Sequence, residues 1–285
     1  MNERFQRLAL FSAIEGGTNF WSREISRLGV QEVFEGLKNS QYDSIKYKTV
    51  IDKLLKFESK PSFNSIDECG SNFIIPSDPH WPMRLNELES PPIGLIVKGN
   101  LEILSNPSLA IVGTRNPTPY GIRIAGDFAA GFVDREWDIV SGGAYGIDSA
   151  AHRGALVAEG RTIAVIASGI DISYPSGNTR LFEEICENGA IVSEVMPGVP
   201  ALPHRFLTRN RIIAALSQAT LVVEAAFRSG SLRTARDAAE LMRPVMAIPG
   251  PINSPSSEGC HRLIGERSAE LVTSVADAIE LITAL

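Results

Sequence analysis

The 285-residue sequence has only three cysteines, Cys69, Cys186 and Cys260, an odd number placed far apart. They lack the close pairing of a zinc knuckle and do not suit a disulfide framework. No apolar run approaches the roughly 18 residues of a membrane-spanning helix. The first five residues show no basic segment followed by an apolar run, so a secretory signal is not expected. We therefore expect a reduced, cytoplasmic protein.

The patterns of common cofactor, metal and catalytic sites are also missing. The glycine-bearing turn at 113–121, which follows the first apolar run of the later part of the chain, is not GxGxxG, so no nicotinamide or flavin cofactor is predicted. The four histidines lack HExxH-like spacing, and no EF-hand loop occurs. No serine or cysteine stands in a nucleophile elbow. We expect no cofactor, no metal ion and no catalytic residue.

Positive charge is scarce overall but is concentrated in one segment. The formal net charge of −6 argues mildly against a nucleic-acid partner. Residues 200–243 nevertheless hold seven basic residues, all arginine, against three acidic ones, a net charge of +4. The seven are Arg205, Arg209, Arg211, Arg228, Arg233, Arg236 and Arg243. The sequence thus predicts a local cationic surface on an acidic protein.

Composition changes near residue 75. Six of the seven lysines but only 5 of the 24 glycines precede it, and apolar spacing predicts a small helical domain over 1–74. Residues 75–107 begin with a proline-rich stretch that does not suit a helix interior. We interpret them as an ordered linker and entry segment with Trp81 and Leu85 as apolar anchors.

From residue 108 to 285, short apolar runs alternate with segments of helical spacing, among them 208–218. The runs are 109–112, 138–140, 162–167, 190–192, 219–223 and 244–248. Strands buried on both faces read as continuous apolar runs, and intervening helices imply a parallel sheet. The predicted fold class is α/β: a doubly wound, mostly parallel sheet, preceded by a small all-helical domain. Such sheets bind ligands beyond the carboxyl ends of their strands.

The turn after the first run, Gly113 to Gly121, could bind phosphate. A helix N-terminus there would offer backbone N–H groups to an anion, and Arg115 would add a guanidinium. An ordinary turn with a solvated arginine fits the spacing equally well.

The turn after the second run contains Gly142, Gly143 and Gly146, which permit close approach of a ligand to the backbone. Asp148 either caps a helix or accepts hydrogen bonds from this loop. His152 lies one helical turn later, and an Asp–His pair could serve acid–base chemistry. A bracing pair is the favoured alternative.

Two later segments bring arginine to the same sheet edge. Arg209-Asn210-Arg211 falls where a helix is expected to start, and cations there oppose the helix dipole unless an anion lies nearby. Phosphate contact and an ion pair with Glu194 or Glu224 are equally compatible. The turn Ser229-Gly230-Ser231 adds hydroxyls and amides, followed by Arg233.

In this order, the loops resemble the DNA processing protein A family, also called DprA or Smf. The matching stretches are GTRNPTPYG at 113–121, SGGAYGIDSAAHRGAL at 141–156, TIAVIASGIDISYPSGN at 162–178, FLTRNRIIAALS at 206–217, VVEAAFRSGSLRTA at 222–235 and PVMAIPGPINSPSSEGCHRLI at 244–264. The resemblance extends over about 75–272. Residues 1–74 are less diagnostic, although the family commonly has a small helical domain there, sterile-alpha-motif-like or similar.

The resemblance implies an extended Rossmann-like domain that binds single-stranded DNA without sequence preference. It also implies a homodimer, protection of incoming DNA in natural transformation, loading of the RecA recombinase and no enzymatic turnover. The residues it assigns to the DNA or phosphate site are Gly113, Arg115, Gly142, Gly143, Gly146, Asp148, Arg209, Asn210, Arg211, Ser229, Gly230 and Ser231. We add Arg233 to this site because it follows the last of these turns at the same edge of the sheet.

Two stretches depart from the family pattern, and two other functions stay open. Ser176 stands where the family often has a basic residue, and the tail at 265–272 lacks the usual Gly-Ala. A nucleotide or phosphoribosyl hydrolase on a similar sheet is the alternative, since fold alone does not fix function. A nucleotide-sensing scaffold is the third. Binding is favoured because four arginines exceed what one mononucleotide needs.

The last segment, 275–285, is predicted to be a helix with Val275, Ile279 and Ile282 on one stripe and Ala278, Leu281 and Leu285 beside it. Such an apolar face needs burial. It could contribute to a homodimer built from 219–285 or pack on its own domain, which is slightly favoured.

Overall fold

The computed structural model describes residues 2–284 and contains helices and a single sheet. The helices are α1 Glu3–Ala13, α2 Asn19–Leu28, α3 Val30–Lys38, α4 Lys48–Leu55, α5 Ser59–Glu68, α6 Pro119–Val133, α7 Ile147–Val157, α8 Thr179–Asn188, α9 Pro203–Leu216, α10 Ser231–Glu240, α11 Glu258–Gly265 and α12 Val275–Thr283. The strands are β1 Ser71–Ile74, β2 Leu95–Gly99, β3 Ser108–Val112, β4 Asp138–Ser141, β5 Thr162–Ile166, β6 Ala190–Ser193, β7 Ala219–Val222, β8 Val245–Ala247 and β9 Glu270–Leu271. In this part of the chain no helix is long and apolar enough to cross a membrane.

The sheet has the order β1-β2-β6-β5-β4-β3-β7-β8-β9. Strands β3 to β9 pair in parallel, whereas β1 and β2 add an antiparallel edge beside β6. The chain moves outward from β3 through β6 and then returns to place β7 on the other side of β3. The predicted α/β, doubly wound, mostly parallel fold with an N-terminal helical region is confirmed. The reversal between β3 and β7 creates the crevice in which such sheets bind ligands.

Helices cover both faces of the sheet. On one face, α6 and α7 pack Phe128, Phe132 and Ala151 against Leu109 and Ile111 of β3. On the other, α9 and α10 pack against the alternate residues of the same strands. Both faces are therefore buried, which explains the uninterrupted apolar runs.

The N-terminal helices are packed against the sheet. Leu8 and Phe11 of α1 join the sheet core with Phe73 of β1, while Leu10 on the opposite side of α1 joins the helical core. Strand β1 lies inside the segment predicted to be wholly helical. The division at residue 75 thus falls just after the first strand of the sheet, and the domain boundaries stay a prediction.

Helices α5 and α9 each contain a proline in their first turn. In α5, Pro61 lies in the first turn, where no intrahelical N–H is needed. Helix α9 starts at Pro203 rather than 208 because Pro203 occupies its first position. Arg209, Asn210 and Arg211 therefore lie in the second and third turns of α9, away from its N-terminus.

The last helix, α12, packs on its own chain. Ala278 is fully buried, and Val275, Ile279 and Ile282 pack on the core cluster beneath α6. Leu285, which was placed beside this stripe, lies outside the described residues. The apolar stripe of α12 thus has an intramolecular cover.

Two arginines stabilise the carboxyl end of α9. The guanidinium of Arg243 donates to the carbonyl oxygens of Ala214 (2.5 Å), Ala215 and Ser217 (2.8 Å), and its side chain is only 8% exposed. Arg84 donates to Leu216 O at 2.8 Å. The last carbonyls of a helix lack intrahelical partners and carry partial negative charge, so cations are favourable there. Part of the arginine excess of 200–243 is therefore structural.

We expect Arg243→Met to lower the free energy of unfolding by about 2–3 kcal/mol, because it leaves buried carbonyls without donors. Urea unfolding measures the change. Arg236→Met is the matched control, because Arg236 is exposed on α10 and has no ion pair among residues 2–284. It should stay within about 0.5 kcal/mol of wild type. Equal loss in both variants would contradict a specific role for Arg243.

Candidate nucleic-acid interface

A cleft of about 720 Å³ opens at the carboxyl ends of β3 and β7, at the reversal of strand order. One wall is the loop after β3, a second is the loop after β7, and the third is the first half of α9. The predicted site residues that line it are Gly113, Arg115, Asp148, Arg209, Asn210, Ser229, Gly230 and Ser231. The structure thus places eight of the predicted residues around one cleft.

Glu224, two residues after the end of β7, joins the two strand-end loops. Its buried carboxylate accepts hydrogen bonds from Thr118 N (2.9 Å) and Thr118 Oγ1 (2.7 Å). Its backbone oxygen accepts from Thr114 N at 2.7 Å. Thr118 in turn caps α6, with Pro119 in the first helical position. Glu224 therefore fixes the loop that carries Arg115, rather than pairing with Arg209 or Arg211.

The glycines after β4 let two loops and an arginine approach closely. A Cβ at Gly142 would lie 2.3 Å from the guanidinium of Arg209, and one at Gly146, where φ is +84°, would lie 2.3 Å from Thr114 O. Gly143 has a φ of +66° and faces the ring of Phe182. These glycines are required by packing within the protein, whatever they also contact in a ligand.

Asp148 holds this loop in place and does not pair with His152. The Asp148 carboxylate accepts from Gly142 N at 3.2 Å and from Ala144 N at 3.4 Å. Nδ1 of His152 instead lies 2.7 Å from Thr162 Oγ1 in the core, and burial lowers the pKa of His152 to about 3. Asp148 and His152 therefore form neither the favoured bracing pair nor the acid–base pair, because these two side chains of α7 face different neighbours. Within residues 2–284, no group of three or more His, Cys, Asp or Glu could hold a metal ion.

Arg209 forms the floor of the cleft. Its guanidinium donates to Gly142 O at 2.5 Å and to Val165 O, and its Nε donates to Asn210 Oδ1 at 3.0 Å. The residue is 6% exposed, and burial lowers its pKa to about 10. Burial likewise raises the pKa of Asp148, an effect that the charge of Arg209 opposes. Arg209 therefore supports the loops from below and has little surface left for a ligand.

Arg115 is placed at the mouth of the cleft. Its side chain is exposed and makes no ion pair or hydrogen bond among the described residues. Its guanidinium carbon lies 5.0 Å from the centre of the Phe206 ring, and the Phe206 and Tyr174 rings are 5.4 Å apart. Tyr174 is 48% exposed. An available cation thus lies beside two aromatic rings, a combination suited to phosphate and base together.

The turn after β7 completes the opposite wall. The hydroxyls of Ser229 and Ser231 are 2.7 Å apart, and Asn210 Nδ2 donates to Gly230 O at 3.1 Å. Nothing lies within 4 Å of a Cβ built on Gly230, so this turn borders open space. Arg228 is exposed in the same wall and has no ion pair in the described part of the chain.

Two predicted residues, Arg211 and Arg233, lie away from this cleft. Nη2 of Arg211 donates to both carboxylate oxygens of Glu194 (2.5 and 2.6 Å), and both side chains are largely buried. Arg233 pairs with Asp237 at 2.7 Å. Both arginines line a separate cleft on the far side of α9 and α10. Their placement beside the other predicted residues is corrected: Arg211 lies on the face of α9 that meets Glu194, and the i,i+4 pair with Asp237 holds Arg233.

Sequence reasoning missed the aromatic wall, Phe206 and Tyr174, together with Arg228. The sequence did offer a signal. Half of the aromatic residues precede residue 76, so the rings of Phe206 and Tyr174 stand out in the loop-rich part that follows. Their closeness could not be read from the sequence, since 32 positions separate them.

The fold and cleft define a Rossmann-like α/β protein whose candidate ligand site lies at the reversal of strand order and combines exposed arginine with aromatic rings. A sequence profile of the family described as DNA recombination-mediator protein A matches residues 72–283. The chain belongs to this family, and the resemblance predicted from the loops is confirmed.

Individual relatives carry the names DprA and Smf. The chain is 42% identical over 224 residues to the DNA processing protein DprA of Streptococcus pneumoniae, a match that covers 79% of this chain and 75% of that protein. It is 44% identical over 226 residues to a Mycobacterium tuberculosis DprA and 43% identical over 215 residues to Escherichia coli Smf. Each match covers 75% of this chain, but only 58% and 57% of those proteins.

Solved structures of two relatives share the fold. The X-ray structure of S. pneumoniae DNA processing protein A superposes with a TM-score of 0.84 at 32% identity and covers 98% of both chains. DNA processing protein A of Helicobacter pylori, described for its single-stranded DNA binding mode, superposes with a TM-score of 0.69 at 30% identity. That match covers 75% of this chain and 96% of the H. pylori chain.

We expect Arg209→Met to destabilise the fold by about 2–3 kcal/mol, because it leaves the buried carbonyl oxygens of Gly142 and Val165 without their donor and removes a charge that opposes the effect of burial on Asp148. Adding Asp148→Asn should recover part of the loss, so that the double variant is more stable than the sum of the single changes predicts. Urea unfolding of the four proteins gives this coupling. Arg228→Met, an exposed arginine in the same cleft, is the control and should change stability little. Strict additivity would contradict a stabilising effect between the two charges.

Proposed function

We propose that this chain binds single-stranded DNA without sequence preference in the cleft at the reversal of strand order. The observation that carries the proposal is the exposed Arg115 guanidinium beside the Phe206 and Tyr174 rings. Proteins that bind single strands combine cations that follow the phosphates with aromatic rings on which bases stack. Base stacking accepts any base, which accounts for the lack of preference.

The contacts made by the cleft support binding rather than turnover. The acidic residues at the cleft, Asp148 and Glu224, already accept hydrogen bonds from backbone and threonine groups. His152 is buried away from the cleft and held neutral by burial. The available groups are cationic, aromatic or hydroxyl-bearing, and they suit a polyanion. We therefore propose that the protein acts as a DNA-binding protein and not as an enzyme.

Family membership supports the broader role. We propose that the protein protects incoming DNA in natural transformation, helps to load the RecA recombinase and works as a homodimer in the cytoplasm. The relatives named as DNA processing proteins support DNA as the ligand. The recombinase and the second copy rest on the family resemblance.

We expect Arg115→Gln to weaken single-strand binding by about 1–3 kcal/mol, the scale of a charge-assisted hydrogen bond. The slope of log affinity against log salt should also become shallower by about 0.7, because one phosphate contact is lost. Fluorescence anisotropy with labelled oligothymidylate at several salt concentrations measures both. Wild type should bind single strands more tightly than a duplex of equal length, because only unstacked bases reach the rings.

Arg135→Gln is the matched control, because Arg135 is an exposed arginine at the opposite edge of the sheet. It should leave affinity and slope unchanged. A flat salt titration for wild type, or normal binding by Arg115→Gln, would refute the assignment of the cleft.

A dimer should sediment as one species of twice the chain mass at micromolar concentration. Two DNA sites on one particle let a long strand engage both and gain avidity without new contacts. The ratio of affinities for long and short oligonucleotides should then exceed the ratio of available sites. A monomer with and without DNA would contradict the assembly proposal but not the DNA site.

A further inference from the structure

The loop between α1 and α2, residues 14–18, touches the helix that carries the aromatic wall of the cleft. Glu15 accepts from Arg205 Nη2 at 2.7 Å and from Arg205 Nε at 3.1 Å, a two-bond carboxylate–guanidinium pair. The Arg205 side chain is only 12% exposed, although it lies on the first turn of α9. The N-terminal helices therefore hold α9 directly.

The next residues of the loop fit closely against the same helix. A Cβ at Gly16 would lie 2.3 Å from the Glu194 carboxylate, which is paired with Arg211. Gly17 has a φ of +69°, and a Cβ there would lie 2.6 Å from Thr208 Cγ2. The loop thus contacts Arg205 and Thr208 and closes over Arg211, residues three apart and therefore on one face of α9.

The adjacent face of α9 lines the cleft. Phe206, Arg209 and Asn210 belong to that face, and Phe206 follows Arg205 directly in the chain. The N-cap of α9, Leu202, makes no side-chain capping bond, so the first turn lacks this usual anchor. Arg205 supplies one instead, by donating both to Glu15 and to Pro200 O at 2.7 Å.

We propose that the α1–α2 loop positions the DNA cleft through the Glu15–Arg205 pair. The pair fixes the first turn of α9 and with it the Phe206 ring beside Arg115 and Tyr174. Glu15 and Arg205 are positioning residues and touch no DNA. This inference rests on the proposed function, and it gives the N-terminal helices a role in single-strand binding that neither the cleft residues nor the family match assigns.

The change in DNA affinity caused by removing the Glu15 charge has opposite signs for a positioning role and for simple electrostatics. The hydrogen bonds from Arg205 hold the pKa of Glu15 below its usual value, so Glu15 is an anion at neutral pH. Removing an anion from the protein should, by charge alone, strengthen binding of a polyanion. If Glu15 positions α9, Glu15→Ala weakens binding instead, because the ring must be ordered at the moment of binding.

We expect Glu15→Ala to weaken oligothymidylate binding about three- to tenfold, since an aromatic wall that is no longer preorganised costs affinity. Arg205→Gln should have a similar effect and leave the salt slope unchanged. The charge exchange Glu15→Arg with Arg205→Glu should recover part of the affinity. Glu32→Ala is the control: it removes an exposed anion of α3 that has no ion pair among residues 2–284, and affinity should not fall.

Anisotropy titrations at several salt concentrations, with melting temperatures of every variant, separate the outcomes. Binding is measured well below each melting temperature, so that loss of fold does not pass for loss of affinity. Normal or tighter binding by Glu15→Ala would overturn the inference, as would a salt slope that becomes shallower by about 0.7 in Arg205→Gln, because Arg205 would then contact phosphate. Absence of single-strand binding by wild type would instead overturn the proposed function.

Discussion

The reversal of strand order between β3 and β7 is the constraint on which the site depends. At that point two neighbouring parallel strands send their connections to opposite faces of the sheet, so their loops diverge and leave a crevice. A link between the diverging loops is what holds them in fixed positions across the crevice. Glu224 supplies this link by accepting from Thr118 across the gap and by holding Thr114 through its backbone oxygen. The position of Arg115 follows from these bonds.

Charge in this protein is divided by burial into two kinds. Arg209, Arg211 and Arg243 each satisfy carbonyl or carboxylate groups inside the protein, where an unpaired ion would be costly. Arg115 and Arg228 carry the same guanidinium but lie exposed at the cleft. The segment with a net charge of +4 is therefore mostly a set of internal braces, and the cationic edge of the cleft draws on an arginine outside that segment.

Burial determines which features could be predicted from the sequence and which could not. The strands were predictable because double-sided burial forces continuous apolar runs, and the glycine turns because close approach forbids a Cβ. The roles of Arg209 and Arg211 were not, since a guanidinium looks the same in a sequence whether it contacts a carbonyl or a phosphate. The expectation of an anion beside them depended on their lying at the start of α9, but the helix begins at Pro203, five residues earlier than predicted. Phe206 and Tyr174 are brought together only by tertiary packing.

The braces also bear on how the cleft can recognise a flexible ligand. A single strand loses conformational freedom on binding, so a site that is already ordered saves part of that cost. Arg209 below and Glu224 at the side fix the loops, while the first turn of α9 has no side-chain cap and is anchored from outside the sheet by Arg205 and Glu15. The aromatic wall is thus the one side of the cleft whose order depends on a segment more than 180 residues earlier in the chain. In the proposed role of the cleft, a change in the N-terminal helices would reach a bound strand through this wall before it reached the Arg115 loop, because Glu224 holds that loop independently.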